Sequence, residues 1–188
     1  MSISGSPSAT LARASVRRRH RAAVAEQLMA RAPQMVEALD WTGLDAAPEW
    51  LGWTPERLDA LQLQVGGLLL APELRLWIDA PRLAAAARAL GALTLHALLA
   101  LRNGEVLPRD VATTPQIERA EQVAPALRAA GASVLLATLP SGELRQAAAL
   151  LLTPVRPSPM AGALARSLVT HAMQLAAQTA ASTGQEDA

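Results

Sequence analysis

The sequence predicts an all-α fold: a compact multi-helix single domain with a basic N-terminal arm. Three observations carry that expectation. Alanine and leucine, strong helix formers, dominate the 188 residues. Apolar residues recur at spacings of three, four and seven, and no segment shows a convincing apolar–polar alternation. The boundaries carry Thr54-Pro55, Asp79-Ala80-Pro81, Asn103-Gly104 and Pro140-Ser141-Gly142-Glu143, which are start and stop signals for helices. A hydrophobic share of 51% against a charged share of 18% excludes a disordered chain, and the length suits one domain better than two.

The expected elements follow in order. Residues 1–9 are rich in Ser, Gly and Pro and read as a disordered tail. Residues 10–32 read as a helix with arginines on a broad face, Pro33 breaks or restarts it, and the basic helical arm extends to residue 40. The helical domain then spans 41–182, with a second disordered tail over 183–188. Residues 41–53, with Gly43, Pro48, Gly52 and three tryptophans, read as an ordered loop. Thr54-Pro55 opens a helix over 55–66, and Gly66-Gly67 ends it. Leu68–Leu70 and Pro72–Ile78 form a short apolar passage, either a second short helix or an extended piece.

Asp79 caps a helix that begins near Pro81 and continues to Asn103-Gly104 along the stripe Leu83, Ala87, Leu90, Thr94, Ala97, Leu98 and Leu101. Residues 105–113 form a loop. Thr113-Thr114-Pro115 starts another helix, which Pro125 splits. Gly131 separates it from Ser133–Leu139, where helix is favoured over a buried strand. The turn at Pro140–Glu143 launches a helix to Leu152, and the three prolines of Thr153–Pro159 make a stiff connector. Met160, Leu164, Leu168, His171 and Leu175 mark a last helix that frays after Ala181.

The net charge of +1 hides an uneven distribution. Arg13, Arg17, Arg18, Arg19, Arg21 and Arg31 lie within the first 31 residues, against Glu26 alone. Glu37, Asp40, Asp45, Glu49, Glu56 and Asp59 follow, against Arg57. A basic arm beside an acidic stretch pairs internally or meets two partners of opposite sign. Lysine, cysteine, tyrosine and phenylalanine are absent, which excludes disulfides and thiolate chemistry and permits a reducing compartment. No secretory signal is expected, because Ala22–Ala32 contains Glu26, Gln27 and Arg31. Leu83–Leu101 has the length of a membrane span, but Arg88 and His96 favour a buried helix there.

No catalytic, cofactor or metal site is expected. His20 belongs to a solvated basic face, and His96 and His171 fall on or near apolar stripes with no His-x-x-x-His or Glu-x-x-His spacing. Glu118 with Glu121 and Glu56 with Asp59 sit beside arginines and read as salt-bridged helix faces. Gly66-Gly67 has no following Lys-Ser/Thr, and Ser141-Gly142 lacks the context of a nucleophile elbow. Arg17-Arg18-Arg19-His20-Arg21 is able to meet phosphates or anionic lipid, but it lacks interleaved aromatics; an arm solvated or docked on an acidic protein surface is favoured, and the alternative is a helical regulator that binds nucleic acid through this arm. The four tryptophans are core fillers or interface anchors. Around Trp77, Arg75 and Arg82 flank Asp79, where they either form a local ion pair or present a fork to a partner's carboxylate. The candidate protein-interface residues are therefore Arg75, Trp77, Asp79 and Arg82, with Arg17, Arg18, Arg19 and Arg21.

The run Leu74-Arg75, Ile78-Asp79-Ala80-Pro81-Arg82-Leu83 and Leu90-Gly91, followed by an apolar helix, resembles the sorting-platform adaptors of bacterial type III secretion, the SctK family in its Hrp-type branch. Gly131–Pro140 followed by Leu144-Arg145 is similar to that family's later block. The later blocks lack the family's aromatic residues, and the arginine-rich arm has no counterpart in it. The resemblance implies a non-enzymatic, mostly helical protein without a cofactor or small-molecule substrate. It implies a place in the cytoplasm, peripheral at the inner membrane through the ring. The implied partners are the forkhead-type cytoplasmic domain of the ring protein (the D subunit) and the pod protein (the Q subunit), which holds the ATPase.

Overall fold

The computed structural model describes residues 7–35, 37, 39, 41, 44, 47–101, 117–140, 142–155 and 160–186. Among them are seven α-helices and no strand, an all-α single domain as the composition predicts. The helices are α1 (Pro7–Arg31), α2 (Pro55–Leu74), α3 (Ala80–Leu90), α4 (Ala92–Ala100), α5 (Ala120–Thr138), α6 (Glu143–Leu151) and α7 (Gly162–Glu186), with short 3₁₀ turns at Pro33–Met35 and Glu49–Gly52.

The middle of the molecule is α2. Pro55 opens it, and the Thr54 hydroxyl accepts from the Arg57 backbone N–H at 3.4 Å. The sequence suggests a stop at Gly66-Gly67, but the helix runs through both glycines to Leu74. The passage 68–74 is therefore its last two turns. From Leu61 to Ala71 every residue except Gln64 is buried, so this helix is apolar on nearly all sides.

The glycines are there for contact. A Cβ added at Gly66 would lie 1.9 Å from the Leu127 carbonyl oxygen of α5. A Cβ added at Gly131 of α5 would lie 1.9 Å from the Gln62 carbonyl oxygen of α2. Each helix thus presses its backbone into the place where the other has no side chain. Gly67, one residue on, faces the Leu90 and Leu98 side chains of α3 and α4. At the edge of the crossing the Arg128 guanidinium donates to both Asp59 carboxylate oxygens, at 2.6 and 3.0 Å. That hydrogen-bonded carboxylate raises the Arg128 pKa. Gln62, buried in α2, accepts from the Thr153 backbone N–H at 2.9 Å and fixes the connector after α6.

The single helix expected from Pro81 to Leu101 is two. Gly91 (φ 85°, ψ 145°) closes α3, donating to the Ala87 carbonyl at 2.9 Å, and its own carbonyl opens α4. Glycine occupies that left-handed conformation without the Cβ clash other residues meet. The pair bends by 112°. Among the described residues no single helix is long and apolar enough to cross a membrane; α3 and α4 reach that composition together only across the bend.

The start expected at Thr113–Pro115, the stop at Asn103-Gly104 and the loop between them lie outside the described residues. The helix there is α5, and the Gln122 side chain accepts from the backbone N–H groups of Glu118 and Arg119 at its start. Neither Pro125 nor Gly131 interrupts it: Pro125 is exposed in the second turn, where one backbone bond is forgone, and Gly131 is the crossing point. Ser133–Thr138 is helical, its hydroxyls turned back onto the carbonyls of Ala130 and Leu135. Leu168 and Leu175 of α7 are buried as the stripe predicts, with Ala165, Val169 and Ala172 beside them; α7 packs on α2, α4 and α5 and remains helical past Ala181 to Glu186.

Four arginines tie these elements together through backbone carbonyls. Arg31 of α1 donates to Leu151, the last residue of α6, at 2.8 Å, and Arg75 donates to Leu98 in the last turn of α4 at 3.4 Å. Arg145 donates to Leu139, just past α5, and Arg82 donates to Ile117, just before it, at 2.8 Å. Three of these carbonyls are at helix C-termini, which lack intrahelical donors and carry partial negative charge.

The glycine crossing yields a direct test. We expect Gly66→Ala and Gly131→Ala each to destabilise the fold by about 3 kcal/mol or more, since a methyl group there meets main chain that has nowhere to retreat. Urea denaturation measures this; a loss no larger than that of an ordinary surface substitution would mean the helices do not meet at these residues.

Candidate functional site

The residues singled out between α2 and α3 form one local cluster. After Leu74 the chain makes a turn, with the Leu76 N–H donating to Glu73 at 2.9 Å and the Trp77 N–H to Leu74 at 3.3 Å. Three residues without helical structure follow, and then α3 begins. Asp79 caps α3 as the sequence predicts, accepting from the Arg82 backbone N–H at 2.9 Å. The Arg82 side chain also pairs with the same carboxylate, and its guanidinium lies 5.0 Å from the centre of the Trp77 ring. The backbone bond, then the Arg82 side chain, hold the Asp79 carboxyl below its ordinary value.

Trp77 is inside the protein, 7% exposed, with its indole beside the Glu73 carboxyl. Burial pushes the Glu73 carboxyl up, and the indole and Arg82 only partly offset it. Of the two arrangements open from sequence, Arg82 and Asp79 thus adopt the local ion pair, and Arg75 reaches back to α4. Trp77, Asp79 and Arg82 hold one another in this way: the indole is seated in the core and the carboxylate caps a helix.

What this cluster displays is a pair of residues the sequence reading passed over. Leu76 is 78% exposed and Ile78 is 96% exposed, one on each side of the buried indole. With the Trp77 indole seated in the core, its two chain neighbours are left on the outside. The available signal was the pair of apolar residues on either side of a tryptophan, beside a helix cap. Large apolar side chains standing clear of a surface are ordinary when scattered and informative when paired on a fixed turn.

The second predicted group sits on α1. Arg17, Arg18, Arg19 and Arg21 are all exposed, and among the described residues Arg17, Arg18 and Arg19 make no ion pair. His20 donates from Nε2 to the Ala47 carbonyl at 2.8 Å. Beyond it toward the N-terminus only Ser15 is shielded among the side chains described. The two groups are not brought together: α1 packs on the 3₁₀ turns and α6, whereas α3 packs on α2, α4 and α5.

The other candidates have structural roles. Trp50 is buried, Trp41 and Trp53 are half-buried against the core, and the Arg57 guanidinium stacks 3.6 Å from the Trp53 ring centre. Glu121 lies 4.0 Å from Arg119 with both side chains exposed. The backbone at the start of α2, with Thr54, lowers the Glu56 pKa. Among the described residues no group of three or more His, Asp or Glu side chains is placed to hold a metal ion. Comparison with known proteins finds no matching family model, no matching curated protein and no matching solved structure.

The two perturbed carboxyls predict opposite pH behaviour. Asp79 has a folded pKa below its ordinary 3.8, so it stabilises the fold above that value and the contribution is lost as pH falls through the folded pKa. Asp79→Ala should lower the thermal midpoint by several degrees at neutral pH, with the gap to the parent closing under acid conditions. Glu73 has a folded pKa above its ordinary 4.5, so its contribution is full below that value and is lost as pH rises through the folded pKa. Glu73→Gln keeps the size of the side chain without its charge and should raise the midpoint slightly at neutral pH but not in acid. Thermal melts of both variants from about pH 3 to about pH 8 check this; parallel curves would remove the assigned environments.

Proposed function

We propose that this chain is a non-enzymatic helical adaptor of a bacterial type III secretion sorting platform. In this reading it joins the cytoplasmic domain of the inner-membrane ring protein to the pod protein, at the cytoplasmic face of the membrane. The observation that carries the proposal is the apolar pair Leu76 and Ile78, held outward by the very residues on which the family resemblance rests. Asp79 and Arg82 fix the turn, Arg75 fixes its root to α4, and the product is a rigid apolar ledge on a helical body. A protein that works by holding two others needs such preorganised contact points more than it needs a cavity.

The α2–α5 crossing and the arginine links support the same reading. They hold the helices at fixed positions, which suits a part that must keep its partners in register. The basic arm and the acidic residues that follow it supply a second, differently charged region on separate elements.

The test is co-purification of the full chain with the forkhead-type ring domain and with the pod protein. We expect the parent to retain both, and Leu76→Ser with Ile78→Ser to lose one of them more than tenfold. Both residues are exposed, so this double variant should melt within a few degrees of the parent. Retention of neither partner by the parent would overturn the adaptor reading; retention of both by the double variant would overturn the role of the ledge.

A further inference from the structure

The adaptor reading names no ligand for the first half of α1. From Pro7 to Ala25 this segment has five arginines and His20 and no acidic residue. Below His20 the helix is seated on the body by Val24 and Leu28, which are buried, and by Ala23 against Gly52. Above it the helix continues for thirteen residues, Pro7–Arg19, about 20 Å at 1.5 Å per residue, and the side chains described there face solvent except Ser15.

We propose that this projecting half-helix binds duplex nucleic acid without regard to sequence. Three features together point to that partner. First, Arg17, Arg18 and Arg19 are exposed and make no ion pair among the described residues, although an acidic stretch follows within the same chain. Second, consecutive residues are about 100° apart around a helix, so these three guanidiniums fan across about 200° of its circumference. A flat anionic surface engages one side of such a rod. A groove with charge on both walls engages the whole fan. Third, the described side chains of Ala12, Ala14, Ser15 and Ala22 are small, so between its arginines the rod stays within the about 10–12 Å diameter of a helix with side chains. The major groove of duplex DNA is about 12 Å wide and is walled by phosphates.

The fan also argues against lipid insertion. An interfacial helix concentrates large apolar residues on one face, whereas here charge is spread around the rod. Aromatic residues are absent from the arm, which matters for stacking on single strands and not for a duplex, whose bases are already stacked. The contact proposed is to phosphates, which carry no sequence information.

Fluorescence anisotropy of the full chain with a labelled DNA duplex of arbitrary sequence tests the proposal. We expect binding at low salt, equal for a second duplex of shuffled sequence, and weakening with a log–log slope near about −3, for three phosphates contacted. Arg17→Glu, Arg18→Glu and Arg19→Glu together should reduce affinity more than tenfold with an unchanged melting curve, whereas the three Arg→Lys changes should retain it. Absence of duplex binding at low salt, equal binding by the Glu variant, or capture by phosphatidylglycerol-containing vesicles but not by duplex would each overturn the proposal. The ledge at Leu76 and Ile78 takes no part, so the adaptor reading and this one fail separately.

Discussion

Everything in this molecule is organised around one close approach: the backbone of α2 against the backbone of α5, at Gly66 and Gly131. The contact is reciprocal, each glycine facing a carbonyl of the other helix, so neither can be replaced without moving main chain. The close contact also lets the flanking side chains interdigitate. Leu58, Leu61, Leu127 and Leu135, all fully buried, lie on these two helices. With no phenylalanine or tyrosine to fill space, a core of leucine, alanine and valine reaches native density only if its helices come very near one another. The glycines and the missing aromatics are two sides of a single packing solution.

Arginine supplies the second layer of order. The chain has no lysine, and the guanidiniums of Arg31, Arg75 and Arg145 each reach a carbonyl at a helix end. A planar fork with several donors suits carbonyls that lack an intrahelical partner better than a compact ammonium does. These links join α1 to α6, α2 to α4, and α5 to the start of α6.

Much of the fold was legible in the sequence where the signal was local. Thr54-Pro55, Asp79 as a cap, and the Leu168–Leu175 stripe each depend on a few neighbouring residues, and each is found where the pattern places it. The errors share a cause. Gly66-Gly67, Gly91 and Gly131 all carry the same local message, yet two sites mark close packing inside a helix and one marks a true break. Only the partner helix, remote in sequence, tells them apart. The candidate site was half legible for the same reason: the cluster from Arg75 to Arg82 was found, but which of its residues face outward depends on a core pocket for Trp77 that no local pattern encodes. Leu76 and Ile78 went unnoticed because single apolar residues in an apolar stretch carry no mark of their own.

The position of that crossing along the chain has a consequence for synthesis. Gly66 and Gly131 are separated by 65 residues (131 minus 66), so α2 leaves the ribosome long before the helix it must touch. Closing so large a loop is entropically slow, and until then an almost wholly apolar helix is without its cover. The nascent polypeptide therefore passes through an adhesive stage whose duration is set by translation of the intervening segment. Slower decoding between these glycines would lengthen the exposure, and a holdase chaperone that shields leucine-rich surface would raise the yield of folded protein.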